Sequence, residues 1–194
     1  MAVSDLNTRI THYLFAPSRW ANAKKLVATM QQKPEQITQV NDAFLDLVGK
    51  SLKPELTPPF FETFANRLVL LTIEEWQKLA ICVALLPYSG KIARSMDGYF
   101  RRAVRDLADP EMVSQVDSLT LESKPVFVGN WADVSTLTHG VINAVMDACD
   151  WPKPVKEYTL LRFEDSLPAA NIEQLTISQI EVACKISLPN LSWL

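Results

Sequence analysis

Proline and glycine are used very unequally in this chain, and the imbalance constrains its fold more than any other feature. The 194 residues include twelve prolines but only five glycines. Hairpin turns and phosphate-binding loops depend on glycine, so all-β chains and nucleotide-binding α/β chains usually contain more of it. Most prolines here fall between segments whose apolar residues recur at helical spacing. The pattern therefore predicts a series of short helices separated by proline.

Helix start signals support this interpretation. Thr72-Ile73-Glu74-Glu75 has the spacing of a capping box, and Asp109-Pro110 combines a cap with proline at the first helical position. Further helices are predicted to begin near Ser18, Ile37, Ser89, Asp133 and Ser178. Residues 125–129 and 158–163 each fit a short strand, and the second also fits a helix. We predict an all-α fold, a compact irregular bundle of about eight to ten short helices with one or two short strands.

Charge divides the chain into two unlike parts. The formal net charge is −3, but residues 1–105 carry 14 basic and 9 acidic side chains, whereas residues 106–194 carry 5 and 13. The length predicts a single helical domain over residues 1–194. Within it we distinguish a basic helical part (1–119), a loop (120–132) and an acidic C-terminal helical part (133–194).

Membrane and nucleic-acid classes are disfavoured. The longest uninterrupted apolar run, Leu79–Leu86, has eight residues, and a membrane span needs roughly 18–20. The N-terminus has no continuous apolar run of the kind found in a signal peptide. A pI near 5.4 argues against general nucleic-acid binding. We expect a cytoplasmic protein without direct membrane insertion and without a nucleic-acid partner.

Catalytic and metal-binding residues are scarce. Cys82, Cys149 and Cys184 are an odd number, widely spaced and set among apolar neighbours, which predicts reduced and buried thiols. The two histidines, His12 and His139, lack the spacing of a metal site. The sequence also lacks the glycine-rich phosphate loops and the nucleophile motifs of common enzymes. We expect no enzyme activity, no cofactor and no metal ion.

One basic stretch rises above this background. The predicted helix from Lys91 to Arg105 has its cations facing away from the apolar stripe: Lys91, Arg94, Arg101, Arg102 and Arg105. Arginine forks onto carboxylates, so this face is a candidate for docking an acidic partner. A solvated surface, or pairing with the acidic second half of the chain, remains the alternative. Trp193, the penultimate residue, is a further candidate as an exposed anchor for a partner.

Three parts of the sequence together resemble a known family. An aromatic-x-Pro motif with a nearby aromatic lies in Leu14–Trp20, and an Arg-Leu-rich stretch in Asn66–Leu71 precedes the central helices up to Leu107. The C-terminal part has a helix at 141–150, Trp151-Pro152-Lys153-Pro154, and an arginine segment from Leu160-Leu161-Arg162 to Leu167-Pro168. This order resembles the K component of bacterial type III secretion systems, the family called SctK, YscK or, more distantly, OrgA/MxiK. Asn22 and Val69 stand where the family has histidine and glycine.

The resemblance implies a non-enzymatic adaptor of the cytoplasmic sorting platform. Such an adaptor links the cytoplasmic domain of the inner-membrane ring protein SctD to SctQ, and through SctL indirectly to the ATPase SctN. It implies a monomer in isolation that is peripheral to the cytoplasmic face of the inner membrane. Two other classes stay open: a secretion chaperone or regulatory protein-binding module, and a small hydrolase or transferase with an unrecognised site.

Overall fold

A computed structural model describes residues 2–15, 58–129, 131, 133–160, 162–163 and 170–194. Eight α-helices and two short strands occur in this part of the chain, which confirms the prediction of an all-α fold with one or two short strands. The helices are α1 (Ala2–Phe15), α2 (Phe64–Arg67), α3 (Ile73–Leu85), α4 (Gly98–Leu107), α5 (Pro110–Asp117), α6 (Val134–Ala148), α7 (Lys153–Leu160) and α8 (Ile177–Ser187). The strands are β1 (Val126–Val128) and β2 (Asn171–Glu173). The helices predicted to begin near Ser18 and Ile37 lie outside the described residues.

Two predicted aspartate caps are confirmed. The carboxylate of Asp109 accepts a hydrogen bond from the Glu111 amide at 2.7 Å at the start of α5. The carboxylate of Asp133 accepts from the amides of Ser135 (2.9 Å) and Thr136 (3.3 Å) at the start of α6. Both helices therefore begin where a short acidic side chain satisfies amides that have no partner inside the helix.

Two other predicted starts need correction. The last helix begins at Ile177, not Ser178, because Thr176 and Gln179 form a capping box in which each side chain accepts from the other's backbone amide. The helix predicted from Ser89 begins only at Gly98, where the Asp97 carboxylate accepts from two amides of the first turn. Residues 89–94 form turns instead of a helix.

A long-range contact explains the shortened helix. The Asp117 carboxylate, at the end of α5, accepts hydrogen bonds from the amides of Ile92 (2.8 Å) and Ala93 (3.4 Å). The Gly90 amide also donates to the Asp117 carbonyl at 3.0 Å. The amides of this segment are thus satisfied by a residue some 25 positions further along the chain, which periodicity alone does not predict.

The described chain divides into two compact units. Unit 1 consists of Met1–Thr72, Asp150–Ser166 and Leu191–Leu194, and unit 2 consists of Ile73–Cys149 and Leu167–Asn190. Each unit contains residues from both sides of the 120–132 segment, so neither unit coincides with the basic or the acidic half of the sequence.

Unit 2 is organised around α3. The apolar run Leu79–Leu86 is buried along its whole length, with no residue more than 8% exposed. Helices α5, α6 and α8 pack against α3 and cover it. Since burying one large aliphatic side chain contributes roughly 1.5–3 kcal/mol, this run is a major source of stability in the unit.

The two strands of unit 2 pair in antiparallel fashion, with Val126 opposite Glu173 and Val128 opposite Asn171. The sequence predicted the first strand as one alternative for 125–129. It did not indicate β2, because the alternation of Asn171, Ile172 and Glu173 spans only three residues and is too short to identify a strand. Residues 158–160 are helical, so the helical alternative for the start of that segment is confirmed.

Unit 2 has one very close approach between backbone segments. A Cβ atom built on Gly140, in the middle of α6, would lie 2.1 Å from the carbonyl oxygen of Ala170, next to β2. The Ala170 amide in turn donates to the Thr136 carbonyl at 3.2 Å. Glycine at position 140 therefore allows the chain preceding β2 to lie directly on α6.

Replacing Gly140 with alanine tests this packing. Alanine is favoured over glycine in a helix by about 1 kcal/mol, so without the contact G140A would stabilise the protein. We expect the opposite, a loss of about 2 kcal/mol, because the backbone of Ala170 must move. Urea unfolding monitored by circular dichroism measures the change.

The matched control is Gly98→Ala. A Cβ atom on Gly98 would meet nothing within 4 Å, so G98A should leave the free energy of unfolding unchanged or slightly raised. Stabilisation by both variants would contradict the described approach of Ala170 to α6.

Candidate functional site: the basic face of α4 and its groove

Helix α4 presents a basic face to solvent. Phe100 and Val104 are each 5% exposed and form the side of α4 that is buried in unit 2. Arg101, Arg102 and Arg105 are exposed on the remaining surface. The structure therefore brings together the three arginines that the sequence placed on one candidate face.

These arginines form one ion pair with the described acidic residues. Arg105 donates through Nε to Asp106 at 3.2 Å, in a pair whose side chains are 76% and 56% exposed. Such an exposed pair contributes little to stability. Among the residues that the structure describes, Arg101 and Arg102 have no ion pair. We call the surface formed by Arg101, Arg102 and Arg105 the α4 basic face.

Two other predicted site residues lie elsewhere. Lys91 and Arg94 are exposed, but they belong to the turns before α4 and not to the helix itself. The expectation that Lys91 and Arg94 belong to the same helix as Arg101 and Arg105 is wrong, because α4 begins at Gly98. The contact of Asp117 with the preceding turn accounts for the difference.

An apolar groove of about 270 Å³ lies beside the α4 basic face. Its floor contains Ile92, Val104 and Ala108, all no more than 8% exposed, and Val113 of α5 lines one side. Arg101 and Arg105 stand at its edge. Sequence reasoning identified the arginines but missed the groove, since Ile92 and Val113 come from segments that only tertiary structure brings together.

A second depression in unit 2 is lined by aromatic rings. Phe100 and Trp131 meet edge to face with ring centroids 5.5 Å apart, and Tyr88 lies 4.5 Å from Phe100. These three rings line a space of about 370 Å³, together with Asp97 and Tyr99. The Asp97 carboxylate is engaged in capping α4. The arrangement holds the start of α4 in place.

Trp193 does not have the exposure that the sequence predicted. Its side chain is only 5% exposed, so the expectation of an exposed anchor is wrong. The indole Nε1 donates to the Asp5 carboxylate at 2.9 Å, and the Arg9 guanidinium lies 5.0 Å from the ring centroid. The Trp193 carbonyl accepts from Arg67 at 2.7 Å. These contacts all lie within unit 1, and they hold Trp193 in place. Its position as the penultimate residue had suggested a loosely held side chain.

Sequence reasoning also missed the role of Arg162 in unit 1. Although it is only 3% exposed, its guanidinium donates to the carbonyls of Leu71 (2.7 Å) and Val69 (2.5 Å). It also lies 5.1 Å from the centre of the Tyr13 ring. Burial raises the pKa of Tyr13, so the phenol stays neutral at physiological pH. A cation within the apolar run Leu160-Leu161-Arg162-Phe163 was the available sign that this side chain is internal.

Substituting Arg162 tests its structural importance. Arg162→Met keeps an unbranched side chain but removes both hydrogen bonds and leaves two buried carbonyls without their donors. Because hydrogen bonds from charged donors are worth roughly 1.5–3 kcal/mol, we expect a loss of about 3 kcal/mol in chemical unfolding. Arg162→Lys should lose less, since one ammonium can still reach a carbonyl. An unchanged unfolding midpoint for R162M would contradict the described contacts.

The three cysteines are free thiols. Cys82 and Cys184 are buried, while Cys149 is half-buried. Burial raises the pKa of Cys82 to about 12, of Cys184 to about 12 and of Cys149 to about 11. The predicted burial is confirmed for the first two and is less complete for Cys149.

Thiol reactivity follows from these pKa values. At pH 8 the folded protein should react with dithiobis(nitrobenzoate) roughly a hundredfold more slowly than the urea-unfolded protein, because only the thiolate attacks. Cys149 should react first, and Cys149→Ser should remove the fastest phase. A thiol that reacts in the folded state at the unfolded rate would show that at least one cysteine is accessible.

Comparison of the chain with protein-family models, curated proteins and solved structures gives no match.

Within the described part of the chain, no helix combines the length and apolar character needed to cross a membrane. In the same residues, no three His, Cys, Asp or Glu side chains are grouped so that they could hold a metal ion. His139 contacts its own helix, with Nδ1 2.9 Å from the Ser135 carbonyl.

Proposed function

We propose that this chain is a non-enzymatic protein-binding adaptor of the type III secretion sorting platform, where it links the SctD cytoplasmic domain to SctQ. The observation that carries the proposal is the α4 basic face. Its three arginines are exposed on a helix whose opposite side is buried, and two of them have no ion pair among the described residues. Arginines exposed on one face of a helix are well suited to recognise carboxylates of a partner.

A protein is a better partner for this face than a nucleic acid. The chain as a whole is acidic, with a pI near 5.4, so no general positive field would attract a phosphate backbone. No aromatic side chain lies between Arg101 and Arg105 on α4 to stack against a base. Carboxylates of an acidic protein surface can bind the same guanidinium groups without a general positive field and without stacking aromatic side chains.

The assignment to the secretion platform rests on the family resemblance, and one structural relation supports it. Two segments that carry the resemblance, Asn66–Leu71 and Leu160–Arg162, meet in unit 1, where the Arg162 guanidinium donates to the Val69 and Leu71 carbonyls. A third, at Trp151, joins them through a hydrogen bond from its indole nitrogen to the Ala65 carbonyl at 3.2 Å. These three of the similar segments thus belong to one unit of the protein.

In this proposal the chain is a monomer in isolation and is peripheral to the cytoplasmic face of the inner membrane, to which SctD holds it. It contacts SctL and the ATPase SctN only indirectly, through SctQ. The function requires two separate surfaces, one for SctD and one for SctQ, and we assign the α4 basic face to one of them.

Charge reversal tests the proposal. The triple variant Arg101→Glu, Arg102→Glu, Arg105→Glu should weaken binding to one platform protein roughly tenfold or more and leave the other interaction intact. Isothermal titration with purified SctD cytoplasmic domain and SctQ from the same secretion system measures both. Because all three side chains are exposed, the circular dichroism spectrum should not change.

Lys185→Glu is the matched control, because Lys185 is an exposed cation of unit 2 on α8 and not on α4. It should bind both platform proteins as the unmodified chain does. Failure of the unmodified chain to bind either protein, together with retention of an effector in pull-downs, would replace the adaptor by the alternative, a secretion chaperone or regulatory module.

A further inference from the structure

We infer that the groove between α4 and α5 receives one apolar side chain of an acidic amphipathic helix that belongs to a partner protein. The inference rests on the proposed function and specifies the chemistry of the partner at the α4 basic face. It follows from three features of the groove: its size, its edge and its preformed floor.

The size of the groove favours a side chain over a small molecule. Its volume of about 270 Å³ is at the lower limit of the roughly 300–1,000 Å³ of small-molecule sites. The floor is apolar, since Ile92, Val104 and Ala108 line it and are no more than 8% exposed. A leucine or phenylalanine side chain from another protein would exclude water from this surface, which is the usual role of an anchor residue.

The two arginines at the edge of the groove indicate that the partner is negatively charged at this point. Arg101 and Arg105 are four residues apart on α4, so their side chains stand one turn apart, roughly 5–6 Å between Cβ atoms. Two carboxylates spaced by one turn on a partner helix have the same separation. The contact of Arg105 with Asp106 uses Nε, so both Nη groups of this groove-lining residue remain as donors for a carboxylate. An acidic helix with an apolar residue beside its carboxylates therefore matches both the floor and the edge.

The groove is formed before a partner arrives. The Asp117 carboxylate at the end of α5 accepts from the Ile92 amide at 2.8 Å, which holds this floor residue. Asp97 and Asp109 cap α4 and α5, so the two walls begin at defined positions. A preformed groove lowers the entropic cost of binding, because little of the protein must become ordered.

Val113 allows the groove to be tested separately from the basic face. Val113→Glu places a carboxylate at the groove wall, where it opposes both an apolar anchor and neighbouring acidic groups. It should weaken binding of the platform protein that contacts α4 roughly thirtyfold or more. Gln115→Glu is the control, since it adds the same charge to the exposed surface of α5 at a residue that does not line the groove. It also replaces the hydrogen bond from Gln115 to Glu111 (3.1 Å) by a repulsion, so its thermal melt is compared with that of the Val113 variants.

Two further variants keep the test informative if Val113→Glu fails to fold. Val113→Thr preserves the shape of the side chain but adds a hydroxyl, and it should weaken binding a fewfold. The exposed pair Arg101→Glu and Arg105→Glu should weaken binding roughly tenfold, with a loss of salt dependence. Circular dichroism and thermal melts establish that each variant is folded.

The outcomes distinguish this inference from the proposed function. If a platform protein binds the unmodified chain and Val113→Glu and Val113→Thr weaken binding beyond Gln115→Glu, the inference stands. If binding occurs but the Val113 variants behave like Gln115→Glu, the groove is not the docking site, although the adaptor function remains. If neither platform protein binds, both proposals fall. A 20-base-pair duplex DNA that binds through the arginines, unaffected by Val113→Glu, would also overturn the groove as a peptide site.

Discussion

A helical segment that is apolar on every side must be surrounded by other elements, and unit 2 depends on this constraint at the C-terminal half of α3. No residue of the run Leu79–Leu86 is more than 8% exposed, so the C-terminal half of α3 has no face that contacts water. Helices α5, α6 and α8 all pack on it, and α5 also provides one wall of the groove. The burial of α3 thus determines where α5 lies, and with it where Val113 faces α4. The candidate binding site is a consequence of how the core is covered.

Local capping interactions were the part of the fold that sequence predicted best. Asp109 and Asp133 begin helices as expected, because a cap involves residues only two or three positions apart. The helix predicted from Ser89 was wrong over its first turns, since the amides of Ile92 and Ala93 bond to Asp117 instead. Apolar spacing reports which residues are buried, and it does not report a competing acceptor some 25 residues away.

The same limit applies to the candidate site. Composition and charge identified Arg101, Arg102 and Arg105, because exposed cations follow directly from the period of an amphipathic helix. The predicted exposure of Trp193 was wrong, since this side chain packs against Asp5 and Arg9 at the opposite end of the sequence. The groove could not be predicted for a similar reason, as its two sides are separate segments of the chain.

The close approach of Ala170 to Gly140 has an evolutionary consequence. A side chain of any size at position 140 would collide with the Ala170 backbone, so glycine should persist there in homologues that retain the path of the chain into β2. Substitution at 140 should occur only together with a change in the length or course of the segment around 170. Invariance of this glycine across relatives would accordingly reflect selection on packing, and conservation at Arg101, Arg105 and Val113 would be the more direct record of binding.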